Sequence, residues 1–518
     1  MINVLNHESA IASEPPRICT GVAAKWWLLS AAVLFLLFWN LGNRGLNEPD
    51  EGRYVNIAHE MLEAEHGWWV PRMSDFAHYD KPPLIYWTTA AMFNLFGESE
   101  WSARLPSVLG AALMLAGLGW TSRRLYGERV AWWAVILGAT TVQIFVLART
   151  LTPDMLLAGF VTLGIAFWAE ERHREARGAG WWGCVVCWTL AWWTKATAAL
   201  VPLAGLTLGL IITDDKAGLR ALRPARLFAV VLVLGAPWYV SLMVQHPELR
   251  DFFLGRELVG RIAGHPDGRR GPVYYHVLIS VVAWAPWWPW MLICLLPRLR
   301  QWREWKNSWR RVPWEAWTVL TVLIVFSLIS SKLVTYTLPC APWVALLCTR
   351  VLLKHYGDGK RPVPMVASAI AVALFLAGGT FVPPRFESRL GVNSSAREIA
   401  RFLRQQNANT VYLDRYRPGM EFYFGERVYY VTHHIPREVP WDNGVCAELG
   451  ESHFLDDSQL AEHLKNHADA NRWLVRLRGK SSPVLTAALD GLAMQESLQI
   501  GDFILDRLPA NYPASPIK

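Results

Sequence analysis

Five short polar motifs interrupt a strongly apolar chain, and their residue types suit chemistry on phosphate and hydroxyl groups. They are EPDEGRY at 48–54, HYDKPP at 78–83, TPD at 152–154, TK at 194–195 and SSKLVTYTLP at 330–339. Lysine and arginine stabilise phosphate oxygens, and a carboxylate deprotonates or orients an acceptor. Their combination predicts a pocket that holds an anionic group and supports a transfer without a covalent intermediate.

The candidate carboxylates are Asp50, Glu51 and Asp154. Asp50 and Glu51 stand beside Arg53 at the edge of the first apolar run. The solvated first turn of a helix explains this pair about as well, because acidic side chains favour helix N-termini. Whether Asp50 acts as a base or as a positioning group is open at this stage.

The candidate anion-binding side chains come from distant parts of the chain. They are Arg53, Lys81, Arg149, Lys195, Arg269, Arg270 and Lys332. Ionisable residues near membrane depth are energetically costly, so each is a functional candidate. The competing explanations are a surface ion pair for Asp80 and Lys81, and extension to the membrane interface for Lys195 and Lys332.

The composition indicates a membrane protein. Of 518 residues, 53% are hydrophobic and only 18% are charged, and the 29 tryptophans suit membrane–water interfaces. The net charge of +8 would suggest nucleic acid as a partner of a soluble protein. Here the basic excess lies in short loops between apolar runs, so we expect no nucleic-acid partner.

Eleven apolar runs are long enough to be candidate membrane spans. They are 26–42, 103–121, 130–147, 154–170, 181–195, 198–213, 227–245, 274–296, 314–330, 337–350 and 363–381. The run 84–97 is a surface helix, a re-entrant segment or one further span. Residues 1–24 form a polar tail, and the first run is expected to be retained rather than cleaved.

Five basic loops orient these spans. In chain order they are 122–129, 171–178, 216–226, 298–311 and 350–361. All five fall on one side if the spans alternate, and the positive-inside rule makes that side cytoplasmic. The outer loops 43–83 and 246–273, with every candidate residue above, then face the periplasm, where we expect the candidates to meet in one cavity.

Residues 385–518 have a different pattern from the rest. An amphipathic helix is predicted at 397–406, and short strands at 411–413, 428–431, 473–476 and 503–505. The predicted fold is therefore a polytopic α-helical membrane domain at 25–384, with eleven transmembrane helices counted from the sequence, followed by a small periplasmic α/β domain at 385–518.

An outward-facing transferase lacks cytoplasmic nucleotide sugars, so its simplest donor is a sugar on a polyprenyl phosphate. At this point EPDEGRY, HYDKPP, TPD, TK and SSKLVTYTLP together resemble the GT-C membrane glycosyltransferases over residues 25–385. The chain resembles most the bacterial aminoarabinose lipid A transferases, and more distantly the protein O-mannosyltransferases.

That resemblance implies transfer of 4-amino-4-deoxy-L-arabinose from undecaprenyl phosphate to a lipid A phosphate at the periplasmic face of the bacterial inner membrane, which confers resistance to polymyxin-like peptides. It implies 13 spans, with 84–97 and one more segment crossing, so the expected number is 11–13 transmembrane helices. It also implies that Asp50 and Asp154 are essential. It also implies that Lys81 binds the donor phosphate, surrounded by Arg53, Tyr54, Arg270 and Tyr336.

The resemblance further suggests a divalent ion, zinc, with Asp80 and His265 as ligands. The family usually has Glu at position 80, so Asp80 is a departure, and two ligands are few for zinc. The acceptor phosphate is already a nucleophile, so its need for a base is slight.

Two alternatives have other substrates or another activity. One is a GT-C transferase with a protein hydroxyl as acceptor, such as a protein O-mannosyltransferase. The other is a transporter of lipid-linked sugars. Transporters place polar sites near the midplane between internal repeats, and the sequence has no evident repeat.

Overall fold

The computed structural model describes most of the chain. The described residues are 20–63, 67–73, 76–173, 178–260, 271–299, 309–356, 363–386, 395–414, 416–425, 428–431, 454–455, 457–466, 471–478 and 494–509.

Helices make up most of the described structure. They are α1 (Thr20–Phe38), α2 (Asp50–Glu60), α3 (Leu84–Phe96), α4 (Glu100–Tyr126), α5 (Glu128–Ala139), α6 (Val142–Ala148), α7 (Pro153–His173), α8 (Ala179–Ile212), α9 (Lys216–Leu222), α10 (Pro224–Gly235), α11 (Pro237–Gln245), α12 (Tyr275–Ala283), α13 (Trp287–Leu299), α14 (Trp314–Leu328), α15 (Ala341–His355), α16 (Val363–Phe386), α17 (Ser395–Gln405), α18 (Pro418–Phe424) and α19 (Asp457–Asn466). A π-helix covers Asp251–Gly260, and 3₁₀ segments cover Trp309–Arg311 and Val334–Cys340.

The strands form two sheets. They are β1 (Arg72–Met73), β2 (Phe76–Ala77), β3 (Thr410–Leu413), β4 (Val428–Val431), β5 (Phe454–Leu455), β6 (Arg472–Leu477), β7 (Glu496–Ile500) and β8 (Phe503–Arg507). β1 and β2 pair alone, and the others form a six-stranded sheet in the order β5-β4-β3-β6-β8-β7. β5, β4, β3 and β6 run parallel, whereas β8 is antiparallel to β6 and to β7.

The chain divides into two compact units. The helical unit comprises residues 1–39 and 106–378, and the loop–sheet unit comprises residues 40–105 and 379–518. The prediction of a small α/β region near the C-terminus is confirmed: its four predicted strands are β3, β4, β6 and β8, and its predicted helix is α17. The loop 43–83, predicted to face outward, belongs to the same unit as this sheet.

The predicted polytopic helical fold is also confirmed. Within the described residues, five helices are long and apolar enough to cross a membrane. Three further pairs pass the same test as bent spans: α5 with α6, bent by 62°, residues 216–235 with α11, bent by 43°, and α12 with α13, bent by 104°. The ambiguous run 84–97 is the helix α3.

The helix α8 corresponds to two predicted spans and is interrupted between them. At Lys195 the backbone leaves the helical region, with φ −161° and ψ 82°. The indole Nε1 of Trp188 donates a hydrogen bond of 3.3 Å to the carbonyl of Ala199. In a continuous helix these residues would lie about 16 Å apart, so the chain bends back sharply at Lys195. The predicted separation into 181–195 and 198–213 agrees with this bend.

Side chains at the first three basic loops contact one another. The guanidinium of Arg124, in the first loop, lies 2.5 Å from the Glu170 carboxylate at the start of the second. Arg172, in the second loop, lies 3.1 Å from Asp215 beside the third. These ion pairs place the three loops at one end of the helical unit.

The buried carboxylate of Glu315 connects the remaining two basic loops to the first. It accepts a hydrogen bond of 2.5 Å from the Tyr126 hydroxyl and lies 3.7 Å from the Arg350 guanidinium. Arg350 also stacks 4.1 Å above the Tyr126 ring. The described parts of all five basic loops therefore share one end of the helical unit, as the alternation of spans predicts.

Helices α4 and α7 approach each other through two glycines. A Cβ on Gly110 would lie 2.6 Å from the Met155 carbonyl oxygen, and one on Gly159 would collide with the carbonyl of Gly110. Small residues allow such close contact between membrane helices, where van der Waals packing drives association.

We expect Gly159→Ala to lower the melting temperature of the purified protein, because the added methyl group forces α4 and α7 apart at a cost of about 1–3 kcal/mol. The matched control is Gly378→Ala, since a Cβ at Gly378 meets no atom within 4 Å. Equal melting temperatures for both variants, measured by tryptophan fluorescence in detergent, would contradict the tight contact.

Candidate functional site

The structure gathers eight of the described candidate residues into two clusters, one in each unit. In the helical unit, the ammonium of Lys195 lies 2.7 Å from Oδ1 of Asp154 and 4.9 Å from the centre of the Tyr336 ring. Asp154 lies in the first turn of α7, Lys195 at the break in α8, and Tyr336 in the 3₁₀ segment before α15. We call these three residues the bundle-end cluster.

Local sequence explains how Asp154 is held. Thr152 precedes Pro153, which begins α7, and proline is well suited to the first position of a helix. The Thr152 hydroxyl donates to Oδ2 of Asp154 at 3.2 Å, and the Asp154 amide lies 3.4 Å from that hydroxyl. Both carboxylate oxygens therefore have partners, one of them Lys195.

Arg149 and Lys332 are held by backbone carbonyls. Arg149 donates to the carbonyls of Leu36, Leu37 and Trp39 at the C-terminus of α1. Lys332 donates to three carbonyls at the end of α14, those of Phe326, Ser327 and Ile329. Both cations are buried and satisfy carbonyls that a helix leaves without partners. These contacts fit a capping function.

His276, which the sequence did not single out, lies beside this cluster. Its ring is fully buried, and its centre lies 6.2 Å from that of Tyr336 and 6.5 Å from that of Phe326. The residue stands inside an apolar run, where a single histidine carries no distinguishing pattern.

The second cluster lies in the loop–sheet unit and contains Asp50, Arg53, Tyr54, Asp80 and Lys81, which we call the loop cluster. Asp50 begins α2, and its Oδ1 lies 2.7 Å from the Arg53 guanidinium one turn later. The Lys81 ammonium lies 2.8 Å from the Asp80 carboxylate, and the Tyr54 ring is in aromatic contact with Tyr86.

Exposure separates the members of the loop cluster. The Asp50 side chain is 54% exposed, whereas those of Arg53 and Lys81 are 8% and 11% exposed. Asp50 is thus accessible to a ligand, and the two cations lie deeper. His78 is buried beside them, and burial lowers the pKa of its imidazole to about 3, so it is neutral at physiological pH.

Glu51, predicted as catalytic, is completely buried in a different environment. Arg104 contacts it with two donors, Nε at 2.9 Å and Nη2 at 3.0 Å. Arg104 also donates to the carbonyls of Leu41, Arg44 and Gly45. This bidentate pair fixes the chain that leads into α2, which fits a positioning role for Glu51.

Glu48 is a further carboxylate that sequence reasoning passed over. Its carboxylate lies between two glycine backbones: a Cβ on Gly52 would lie 2.7 Å from both carboxylate oxygens, and one on Gly419 would collide with Oε1. Both glycines therefore leave room for a buried acid between α2 and α18. The only sequence feature that could have indicated this buried acid was Gly52, the glycine within EPDEGRY.

Burial raises the pKa of Glu48 to about 7, although the Arg417 guanidinium and the Gly419 amide lower it. The neighbouring carboxylates Glu421 and Glu51 raise it further. Because the pKa is higher in the folded state than in the unfolded state, the folded state binds more protons between about pH 4.5 and pH 7. Stability therefore falls as the pH rises through this range.

We expect Glu48→Gln to remove this fall, which amounts to at most about 3 kcal/mol, because the neutral amide carries no ionisation penalty. Melting temperatures measured at pH 5.5 and pH 8 test the expectation. The wild type should lose stability at the higher pH and the variant should lose less. Identical pH dependence in the two proteins would contradict a buried Glu48 carboxylate.

The described residues do not provide a metal-binding set. No group of three or more His, Cys, Asp or Glu side chains comes together in the described part of the chain. Asp80 is paired with Lys81, a cation that competes with a metal ion. The predicted ligand His265 and the predicted phosphate contact Arg270, with Arg269, lie outside the described residues.

Comparison with known proteins gives a family match over part of the chain and a solved structure with a similar fold. Residues 80–241 match the family described as dolichyl-phosphate-mannose-protein mannosyltransferase. A crystal structure of ArnT from Cupriavidus metallidurans bound to undecaprenyl phosphate is similar with a TM-score of 0.72 and 22% identity, covering 94% of this chain and 98% of that one. The fold is similar to that of this ArnT structure, and the predicted GT-C-like helical fold is confirmed.

Sequence relatives narrow the class. The undecaprenyl phosphate-alpha-4-amino-4-deoxy-L-arabinose arabinosyl transferase of Erwinia tasmaniensis is 28% identical over 366 residues, 67% of this chain and 65% of the relative. The protein of the same name from Edwardsiella ictaluri is 29% identical over 345 residues, 65% of this chain and 61% of the relative. The alignments span slightly less than two thirds of these relatives. The predicted resemblance to aminoarabinose transferases is confirmed.

Proposed function

We propose that this protein is a glycosyltransferase of the inner membrane that transfers 4-amino-4-deoxy-L-arabinose from undecaprenyl phosphate to a lipid A phosphate at the periplasmic face. The ion pair between Asp154 and Lys195, held 2.7 Å apart at a break in a membrane helix, carries the proposal. The similarity to transferases named for this donor and this sugar supports it.

In the helical unit we assign anion binding to Lys195 and its positioning to Asp154. An ammonium at a break in a helix, with Tyr336 against it, presents a fixed positive charge in a place with little water. Such a charge binds a phosphate oxygen more strongly than it would in bulk solvent. Arg149 and Lys332, whose donors point at backbone carbonyls, position the surrounding helix ends.

In the loop–sheet unit we assign the donor phosphate to Lys81 and Arg53, with Tyr54 beside them. In the transfer, an oxygen of the acceptor phosphate attacks C1 of the sugar. The bond from C1 to the undecaprenyl phosphate oxygen breaks, and undecaprenyl phosphate leaves with the bonding electrons. The exposed carboxylate of Asp50 orients the sugar and stabilises the positive charge that develops on it. Arg270 and Tyr336 remain candidates for further phosphate contacts.

We expect Asp154→Asn and Lys195→Met each to lower kcat/KM by about 100-fold or more, the effect typical of losing a preorganised electrostatic group. The assay uses purified protein, undecaprenyl phosphate-linked aminoarabinose and lipid A. Glu128→Gln is the control, because it disrupts an ion pair with Arg123 at the opposite end of the helical unit. Wild-type rates in both Asp154→Asn and Lys195→Met would exclude the bundle-end cluster from the reaction.

The match to the mannosyltransferase family model supports one second candidate: transfer of mannose from a polyprenyl phosphate to a protein hydroxyl. We expect aminoarabinose on lipid A, and no mannose on a serine- and threonine-rich peptide, when each donor is offered with each acceptor. Mass spectrometry of the products checks this. Mannosylated peptide with unmodified lipid A would overturn the proposed function in favour of the second candidate.

A further inference from the structure

A concave polar groove of about 740 Å³ lies in the loop–sheet unit, apart from the loop cluster. Its basic side is α17, which contributes Arg397, Arg401 and Arg404. The other side is formed by Glu98, Ser99, Glu100, Phe422 and Tyr423. In a helix, residues three and four positions apart share a face, so all three arginines point to the same side of α17.

The carboxylates of the groove already have partners. Glu100 lies 3.3 Å from the Arg397 guanidinium and accepts a hydrogen bond of 3.0 Å from the Tyr423 hydroxyl. Glu98 accepts a hydrogen bond of 2.8 Å from His59. That hydrogen bond raises the pKa of His59, which favours a charged imidazole beside the carboxylate.

Two positive charges of the groove are not neutralised in this way. Among the residues that the structure describes, no carboxylate forms an ion pair with Arg401 or Arg404, and both side chains are exposed. Side chains three residues apart on a helix have Cβ atoms about 5–6 Å apart. Two arginine side chains that start this close together can both reach the oxygens of one phosphate group, which arginine binds bidentately.

The position of the groove favours a lipid headgroup over a soluble phosphate. Glu98, Ser99 and Glu100 stand at the start of α4, a helix long and apolar enough to cross a membrane. A ligand in the groove is thus held where a membrane helix begins. Phe422 and Tyr423 add partly buried aromatic surface, which suits a ligand with apolar faces as well as charge.

The geometry points to a docking site, at Arg401 and Arg404, for the phosphorylated sugar headgroup of a glycolipid acceptor. This inference rests on the proposed function and adds to it a place where the acceptor is captured before transfer. The two arginines act on binding and take no part in bond breaking.

We expect the double variant Arg401→Gln/Arg404→Gln, in full-length protein in nanodiscs, to raise KM for bisphosphorylated lipid A by about tenfold. The kcat and the KM for the lipid-linked donor should stay near wild-type values. Arg404→Gln alone is compared with Arg478→Gln, which removes one exposed arginine elsewhere in the same unit. Unchanged acceptor KM in the double variant, or an equal effect of Arg478→Gln, would overturn the inference.

A binding measurement without donor separates this inference from the proposed function. Lipid A, the same lipid A after enzymatic dephosphorylation, phosphatidylglycerol vesicles and inorganic phosphate are titrated against both proteins. We expect only phosphorylated lipid A to bind the wild type more tightly than the double variant. If the double variant lost affinity for phosphatidylglycerol vesicles equally, the arginines would form a general contact with anionic membranes. If it lost affinity for inorganic phosphate equally, they would form a simple anion site. Either result overturns glycolipid docking, whereas intact binding with no transfer would contradict only the proposed function.

Discussion

A lipid bilayer offers no hydrogen-bonding partner to a charge or to a broken helix, so each must be satisfied within the protein. The ion pair between Lys195 and Asp154 illustrates this constraint most clearly. The chain leaves helical geometry at Lys195, at the end of one apolar segment and the start of another. Asp154, in the first turn of α7, supplies the opposite charge at that point. This ion pair therefore satisfies the charge of Lys195 at the break in α8 and holds its ammonium in a fixed position, where it can bind an anion.

The same constraint explains why neighbouring cations behave differently. Lys332 and Arg149 direct their donors to carbonyls at the ends of α14 and α1, which lack partners within their own helices. Lys195 instead pairs with a side chain. These three cations and the carboxylate of Asp154 look equivalent in sequence, but their hydrogen bonds divide them. Arg149 and Lys332 hold helix ends, whereas Lys195 and Asp154 can meet a ligand.

Hydropathy and the distribution of basic residues predicted much of the architecture, because both are local properties of the chain. The spans, the shared end of the five basic loops and the strands of the C-terminal sheet follow from runs of about 5–20 residues. The carboxylate of Glu51 could not be assigned in this way, since its partner Arg104 stands 53 positions further along the chain. Sequence identified the acidic pair in EPDEGRY, and only tertiary structure distinguished the exposed Asp50 from the buried Glu51.

The same limit applies to the loop 246–273. Its central part, with His265 and Arg270, lies outside the described residues, so the predicted metal and phosphate contacts there stay predictions. Likewise, the expectation that all the candidates meet in a single cavity stays a prediction. Within each unit, however, residues from motifs far apart in sequence do come together, as shown by Asp154, Lys195 and Tyr336.

The carboxylate of Glu48, enclosed by Gly52 and Gly419, ties a residue near the start of the chain to one near its end. A side chain larger than hydrogen on either glycine would have to displace the acid, so the three positions constrain one another. Anyone recombining this protein with a homologue would therefore do well to inherit all three from one parent. A crossover between the last membrane helix and the sheet would take Glu48 from one parent and Gly419 from the other. The acid could then meet a larger residue in place of the glycine that leaves room for it.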